Sequence, residues 1–320
     1  MQTQFQRRNC IMEQIRSLSQ LLEYAKKIGA EKGPKKISVA MAEEAGLLSA
    51  IEEARRTGFA EAILVGNADK IKAAADQAGV NLANYEVIDE RDEPAMGITA
   101  VSQVSSKKAD IYMKGQIHTN NFLRAMLNKE VGLRKGKNII SHCYFHSVEG
   151  YDRIFFLADA AFNMYPDLAA KADITQNTVN LARAFGVAEP KVAVLAAVEV
   201  VNPDMPATLD AAALTQMNRR GQIKNCVVDG PFALDNAVSE ESAKTKGIIS
   251  PVAGKADVFI VPDIDAGNML AKAIVYFSKN ETAGLILGAS APVVLTSRAD
   301  SARAKLLSIA AAVALSDFQK

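Results

Sequence analysis

Short apolar segments alternate with longer, helix-like segments along the first third of this 320-residue chain. The apolar segments have the length and β-branched content of buried strands, and they lie at 36–41, 62–66, 85–89 and 109–113. Apolar residues at helical spacing occupy the segments between them, at 43–58, 68–79 and 97–107. This regular alternation predicts a parallel sheet that is covered by helices on both faces. Such sheets bind ligands at the carboxyl ends of their strands.

A second alternating unit follows, and polar residues come after three of its strands. Its predicted strands are 138–145, 153–157, 191–196, 226–228 and 257–261, and its predicted helices are 167–185, 209–220 and 269–277. The polar residues are Asp159 with Asn163, Asp229, and the segment from Asp263 to Asn268. A single carboxylate at a strand end usually caps a helix or contacts solvent. Several on one sheet edge predict a cleft.

Composition restricts the class of protein. The length of 320 residues favours two domains over a single core. The formal net charge is +1 with acids and bases well mixed, so the sequence predicts neither a nucleic-acid nor a membrane surface. Three scattered cysteines fit a reducing cytosol and predict no disulfide framework, so we expect a cytoplasmic protein.

Metal and hydrolase chemistry have little support in the sequence. The three histidines form no metal-binding pair on a predicted helix. Asp159, Asp229 and Asp263 could hold Mg²⁺, but nothing in their spacing selects it, so we predict no metal site. Ser297 lacks the Gly-x-Ser-x-Gly turn of a hydrolase, and no Gly-rich dinucleotide turn follows the first strand.

A polar cluster lies near the end of the chain, where a strand is followed by a helix. The apolar run 292–295 predicts a buried strand, and the Ala/Leu-rich segment 302–315 predicts a buried helix. Between them stand Ser297, Arg298, Asp300 and Ser301. Free N–H groups and the positive end of the helix dipole favour anions at such a junction. Helix capping is an equal alternative for Asp300 and Ser301.

A second candidate anion site follows the strand at 109–113. Lys114 and Gly115 follow this strand, and Arg124 lies on the next helix, for which Thr119, Asn120 or Asn121 is a candidate cap. Gly115 lets a ligand approach the backbone, and the two cations could hold a phosphate. A solvated surface role is an equal alternative. We expect His118 to be a packed or solvated neighbour rather than a base.

Six motifs in order resemble the phosphate acetyl/butyryltransferase family. They are Asp159–Asn163, Glu189–Leu195, Asp229-Gly-Pro-Phe, Ser250–Ala256, Pro262–Asn268 and Pro292–Arg298. The resemblance covers the chain from about Leu18 onward. The segment Met113-Lys-Gly with Thr119, and the segment Thr296–Ser301, are more similar to the butyryl branch than to the acetyl branch.

The resemblance implies transfer of a short acyl group, preferably butyryl, between coenzyme A and inorganic phosphate. It also implies an α/β, two-domain isocitrate/isopropylmalate dehydrogenase-like fold with parallel-rich sheets and an interdomain cleft. The expected domains are residues 1–138 plus 292–320, and residues 139–291. Acyl-CoA, phosphate and acyl phosphate are then substrates and products, no cofactor is tightly bound, and the protein is a homodimer or a higher homo-oligomer.

Residue roles are also implied by the resemblance. Arg298 and Arg124 match arginines that hold the phosphate, and Ser297 matches the serine that hydrogen-bonds the reacting carbonyl. The other expected substrate-binding residues are Lys114, Gly115, Thr119, Asn268 and Ser301. Direct attack in a ternary complex needs positioning and an oxyanion donor rather than a covalent intermediate.

The chain departs from the acetyl branch at two positions. Ala304 stands where that branch has the aspartate that acts on the CoA thiol, so Asp300 or another cleft carboxylate takes this role. Glu93 and Pro94 stand where that branch has a CoA-binding arginine, so the sequence assigns no CoA-binding residue. We expect the small residues Ala266, Ala289 and Ala291 to leave room for the longer acyl chain.

Three alternative functions stay open at this point. The first is phosphate acetyltransferase, which has the same chemistry. The second is an NAD(P)-dependent decarboxylating dehydrogenase of the same fold, which requires a magnesium-binding set of aspartates. The third is a non-catalytic acyl-CoA-binding subunit.

Overall fold

One sheet of eleven strands runs through the part of the chain that the computed structural model describes, residues 13–297 and 300–319. The strands are β1 (Lys35–Ala40), β2 (Ala60–Gly66), β3 (Glu86–Asp89), β4 (Ile111–Lys114), β5 (Ser141–Val148), β6 (Phe155–Ala158), β7 (Lys191–Leu195), β8 (Val227–Phe232), β9 (Val258–Ile260), β10 (Asn280–Leu287) and β11 (Val293–Val294). Their order in the sheet is β3-β2-β1-β4-β11-β10-β5-β6-β9-β7-β8. The protein is therefore a mixed α/β protein.

Helices cover this sheet. They are α1 (Leu18–Lys32), α2 (Ala45–Arg56), α3 (Ala68–Ala78), α4 (Glu93–Ser105), α5 (Thr119–Met126), α6 (Leu168–Ala184), α7 (Pro206–Arg219), α8 (Leu234–Val238), α9 (Glu240–Thr245), α10 (Ile264–Phe277) and α11 (Ala302–Phe318). Three of them, α4, α7 and α10, begin before the predicted starts at 97, 209 and 269. Pro94 and Pro206 lie in the first turns of α4 and α7, where a missing N–H costs nothing. No helix in the described part of the chain is long and apolar enough to cross a membrane.

The sheet is mostly parallel, with two antiparallel strands near its middle. The strands from β3 to β11 pair in parallel, as the first alternating unit predicts. The strands β6, β9, β7 and β8 are also parallel to one another. Between these groups β10 and β5 run antiparallel to their neighbours. The sequence did not predict β10, and Asp229, which was predicted to follow a strand, lies inside β8.

The helix α11 is buried along most of its length. Residues 305–316 of this helix are all buried, and it packs against α1, α2 and β10. Its many alanines allow this close approach, because a small side chain keeps neighbouring backbones near one another. The structure thus confirms the predicted buried helix after residue 301. The predicted division into residues 1–138 with 292–320 and residues 139–291 stays a prediction.

Replacing Ile309 on α11 with alanine should destabilise the fold strongly. Ile309 is 0% exposed, so Ile309→Ala should lower the free energy of unfolding by about 2–5 kcal/mol. Ile249 is 100% exposed, so the matched change Ile249→Ala should stay within about 0.5 kcal/mol of the parent. Urea unfolding measures both. Equal losses of unfolding free energy in the two variants would contradict the burial of α11 in the core.

Candidate active site

A cavity of about 650 Å³ lies along the open edge of β10. The strand β10 has eight residues, whereas its neighbour β11 has two and pairs with it only at Ile286 and Val293. Among the described residues, the earlier half of β10 therefore has no strand beside it on that side, and α10 and the start of α11 form the other walls. The polar lining includes Tyr144, Asn268, Lys272, Ser297, Asp300 and Ser301.

The segment between β11 and α11 forms a closed turn at this cavity. The backbone N–H of Ser297 donates to Oδ2 of Asp300 at 2.7 Å, and the N–H of Asp300 donates to the carbonyl of Ser297 at 3.1 Å. The intervening Arg298 and Ala299 lie outside the described residues. The role predicted for Arg298 therefore stays a prediction, but the residues on both sides of it are held in place by these two hydrogen bonds.

Ser301 and Asp300, both candidate caps in the sequence, have different roles in the structure. Ser301 is the N-cap of α11, since its Oγ accepts a hydrogen bond from the N–H of Ala304 at 3.1 Å. Capping thus accounts for Ser301, whose predicted contact with substrate stays a prediction. The carboxylate of Asp300 does not cap the helix but closes the turn with Ser297.

A buried lysine fixes this turn to the rest of the molecule. Lys305 is 2% exposed, and its Nζ donates to Oε1 of Glu44 at 2.7 Å and to the carbonyl of Asp300 at 3.0 Å. Glu44 precedes α2, so this lysine links the turn to the N-terminus of α2. Our sequence reasoning missed Lys305, although a lone lysine inside an otherwise apolar helix is a detectable signal.

Burial makes the carboxylate of Asp300 a better proton acceptor than an exposed aspartate. Desolvation raises the pKa of Asp300 above its ordinary value, and the charge of Glu44 raises it further. The hydrogen bond from the N–H of Ser297 and the charges of Lys305 and Lys272 lower the pKa, but they do not offset burial. A raised pKa and a position on the cavity wall are properties of a general base.

The second predicted cluster lies on the neighbouring strand but does not line this cavity. The strands β4 and β11 are parallel partners, so the segments after Met113 and Val294 leave the sheet at the same edge. Lys114 is buried, and its Nζ donates to the carbonyl of Gly115 at 3.2 Å. Any side chain at Gly115 would place a Cβ 2.2 Å from the carbonyl oxygen of Met41. Close packing therefore explains this glycine without a ligand.

The helix α5 carries the remaining predicted phosphate ligands. Thr119 is its first residue and is exposed, and it is not the cap, since His118 occupies that position. Arg124 is exposed and pairs with no carboxylate in the described part of the chain. Neither residue lines the cavity described above. Their assignment as substrate-binding residues stays a prediction.

Glu93 has a structural role that the sequence did not indicate. Its carboxylate accepts hydrogen bonds from the N–H of His118 at 2.8 Å and from the amide of Asn121 at 2.9 Å, and it contacts the His118 ring. Burial alone would raise the pKa of Glu93, but these hydrogen bonds lower it to about 2. Glu93 thus joins α4 to α5. His118 is a solvent-exposed neighbour, as predicted.

Of the polar residues after the second group of strands, Asn268 lines the cavity and the other five do not. Asn268 lies on α10, and its amide donates to the carbonyl of Ala160 at 3.1 Å. The carboxylate of Asp159 is buried and accepts from the N–H groups of Ala161 and Phe162, both at 3.0 Å. Asp263 caps α10. These two aspartates therefore hold loops in place.

The small residues expected to leave room for an acyl chain lie elsewhere. Ala289 and Ala291 line a separate cavity of about 80 Å³, and Ala266 lines neither cavity. The three alanines therefore do not line the larger cavity, and the expectation that they leave room for the acyl chain stays a prediction. The described residues also contain no group of three His, Cys, Asp or Glu side chains that could hold a metal ion.

Comparisons with known proteins place this arrangement in a family. Residues 95–313 match the family model for phosphate acetyl/butaryl transferase. The phosphate butyryltransferase of Clostridium acetobutylicum is 48% identical over 298 residues, which are 93% of this chain and 97% of that protein. The phosphate acetyltransferase of Thermotoga maritima is 44% identical over 293 residues, 92% of this chain and 97% of that protein.

A solved structure supports the same assignment. The crystal structure of a branched-chain phosphotransacylase from Enterococcus faecalis V583 superposes with a TM-score of 0.77 at 31% identity, and the match covers 88% of this chain and 99% of that one. The resemblance found in the sequence motifs is thereby confirmed. The chain belongs to the phosphate acetyl/butyryltransferase family.

Proposed function

We propose that the protein transfers a butyryl-sized acyl group between coenzyme A and inorganic phosphate. One observation carries this proposal: Ser297 and Asp300 line one cavity, and Asp300 is a partly buried carboxylate with a raised pKa. The relative from Clostridium acetobutylicum, named phosphate butyryltransferase, supports the choice of acyl group. Phosphate acetyltransferase is the second candidate, and the Thermotoga maritima relative supports it.

Holding the phosphate is the task of the cations in this proposal. Phosphate is a weak nucleophile, so catalysis depends on placing it against the acyl carbon and stabilising the oxyanion that forms. The guanidinium groups of Arg298 and Arg124 hold the phosphate oxygens, and Lys114 adds positive charge at the same sheet edge. Ser297 donates a hydrogen bond to the reacting carbonyl oxygen. The N-terminus of α11 adds a favourable dipole.

Asp300 moves the proton of the CoA thiol. When acyl phosphate is the donor, the carboxylate of Asp300 takes the thiol proton and the thiolate attacks the acyl carbon. The carbon–oxygen bond to phosphate then breaks, and the leaving phosphate takes the proton from Asp300 and departs as hydrogen phosphate. In the reverse direction hydrogen phosphate attacks the thioester and gives its proton to Asp300, the carbon–sulfur bond breaks, and Asp300 passes the proton to the departing thiolate.

We also propose a two-domain, isocitrate/isopropylmalate dehydrogenase-like arrangement with the cavity between the domains. The strand order supports it. The strands from residues 1–138 and 292–320 occupy one end of the sheet, and those from residues 139–291 occupy the other. We further propose a cytoplasmic homodimer that uses coenzyme A as a substrate rather than as a tightly bound cofactor. Exposed apolar side chains on α10, such as Met269 and Tyr276, are consistent with a subunit contact.

Phosphate-dependent release of thiol from acyl-CoA tests the proposed function. Two extra buried methylenes favour butyryl over acetyl by about 1.6 kcal/mol, or roughly 15-fold in kcat/KM. Initial-rate lines at varied phosphate should intersect, since both substrates are bound during direct attack. A higher kcat/KM for acetyl-CoA would support the acetyltransferase. Thermal stabilisation by CoA without thiol release would indicate a binding subunit, and Mg²⁺-dependent NAD(P)H formation would indicate a dehydrogenase.

Substitutions at the turn test the two roles assigned there. Arg298→Ala should lower kcat/KM by several orders of magnitude, because it removes a charge-assisted bond to the phosphate. Ser297→Ala should cost roughly 10²-fold, as expected for one lost oxyanion donor. Arg56 is exposed on α2 and away from the cavity, so Arg56→Ala is the matched control and should keep the parent rate. Parent rates in both turn variants would refute the assignment.

The pH dependence tests Asp300. Thioester formation needs the ionised carboxylate, so the rate should fall as the pH drops through the raised pKa of Asp300. The pH at the midpoint of this fall should therefore lie above the ordinary aspartate pKa of about 3.9. Asp300→Asn should lower kcat by roughly 10²–10⁴-fold and remove this fall.

Asp265 provides the control for this measurement. It is exposed on α10 and does not line the cavity, so Asp265→Asn should leave the pH profile of kcat/KM unchanged. An unchanged acid limb in the Asp300 variant would assign the base to another group.

A further inference from the structure

Tyr144 on β5 is a cavity residue that no sequence motif indicated. It lines the same cavity as Ser297 and Asp300. Its direct partner across the β5–β10 pair is Gly284, which lies on the open half of β10. A Cβ at Gly284 would come within 3.0 Å of Nε2 of His142 and 3.2 Å of Cδ1 of Tyr144. The glycine therefore leaves room for both rings, and the Tyr144 ring packs over β10 at this position.

The ring of Tyr144 is supported by a neighbouring buried side chain. The His142 ring packs against it edge-on, with the ring centroids 4.4 Å apart. His142 is 1% exposed, and burial lowers its pKa to about 4, so it is a neutral and rigid support at physiological pH. A supported ring cannot move aside easily to admit a larger ligand. Tyr144 therefore forms a hard wall of the cavity.

The hydroxyl of Tyr144 is on the cavity side of this wall. It makes no hydrogen bond with any described residue, and it is not among the fully buried polar atoms that lack a partner in the described chain. Burial raises the pKa of Tyr144, and the negative charge of Asp300 raises it further. The hydroxyl is therefore neutral, accessible and close enough to Asp300 to sense its charge.

Apolar side chains surround this part of the cavity. Ala271 and Val275 of α10 line it on one side, and Leu295 and Leu307 line it on the other. A short hydrocarbon chain fits such a lining, while the charged groups of the substrate stay at the Ser297–Asp300 turn. An acyl chain whose carbonyl lies at Ser297 can extend towards Tyr144.

We infer that Tyr144 limits the length of the acyl chain, because its supported ring forms a wall of the cavity that the Ser297–Asp300 turn also lines. This inference rests on the proposed acyl transfer and specifies its substrate class as short acyl thioesters. Each buried methylene of the acyl chain raises the affinity about fourfold. A methylene that would clash with the Tyr144 ring gives no such gain. Acyl groups longer than butyryl are then disfavoured.

Shortening the side chain tests this inference. In Tyr144→Ala the ratio of kcat/KM for hexanoyl-CoA to that for butyryl-CoA should rise at least tenfold, since two more methylenes find space. Tyr144→Phe keeps the ring and should keep the parent ratio. Tyr144→Leu, which preserves more of the packing against His142, should give an intermediate ratio and serves if the alanine variant folds poorly. Tyr165→Ala changes an exposed tyrosine away from the cavity and is the matched control.

Dissociation constants for butyryl-CoA and hexanoyl-CoA, measured by calorimetry, separate this inference from the proposed function. A shift of the binding ratio towards hexanoyl-CoA in Tyr144→Ala supports the inference even if no thiol is released, in which case the proposed transfer fails. A ratio within twofold of the parent, in an enzyme that does release thiol, overturns the role of Tyr144 and leaves the transfer intact.

Discussion

The unequal length of two neighbouring strands leaves room for the cavity that Ser297 and Asp300 line. Because β11 has two residues and β10 has eight, most of one edge of β10 is left without a strand partner. Elsewhere in the described sheet the central strands are paired on both sides. An open edge in the middle of a sheet exposes backbone groups, which must be satisfied by something other than a strand. Ser308 of α11 serves this purpose at one point, since its hydroxyl accepts from the N–H of Gly284 at 3.2 Å.

The same helix connects this edge to the proposed catalytic turn. The buried α11 begins at the turn and carries Lys305, which binds both the turn and Glu44 before α2. A buried lysine is costly unless it is paired, so this ion pair fixes how the turn lies relative to the first strands. The position of Asp300 relative to α2 thus depends on this contact. Packing of α11 stabilises the fold, and Lys305 near its start holds the Asp300 turn in position.

The sequence predicted the repeating part of the fold well and the irregular part poorly. Strands β1 to β4 and helix α11 follow local hydrophobic periodicity, which a single sequence displays. Strand β10 was missed because its first half is polar and it contains Gly284, which weakens a strand pattern. A side chain at that glycine would crowd the rings of His142 and Tyr144 on another strand, and no local sequence signal reports those contacts. The site divides in the same way: Ser297, Asp300 and Ser301 lie close together in the sequence and were predicted together, whereas Tyr144 joins them only through the tertiary structure. Lys305 is near them in sequence, but its pairing with Glu44 depends on the tertiary structure.

The central claim is that acyl transfer takes place in the cavity along the open edge of β10. The most direct test is an experimental structure of the protein with coenzyme A and phosphate bound. The account predicts the thiol sulfur within hydrogen-bonding reach of the Asp300 carboxylate, with phosphate at the Ser297–Ser301 turn. Coenzyme A bound with its thiol outside this cavity would contradict the account.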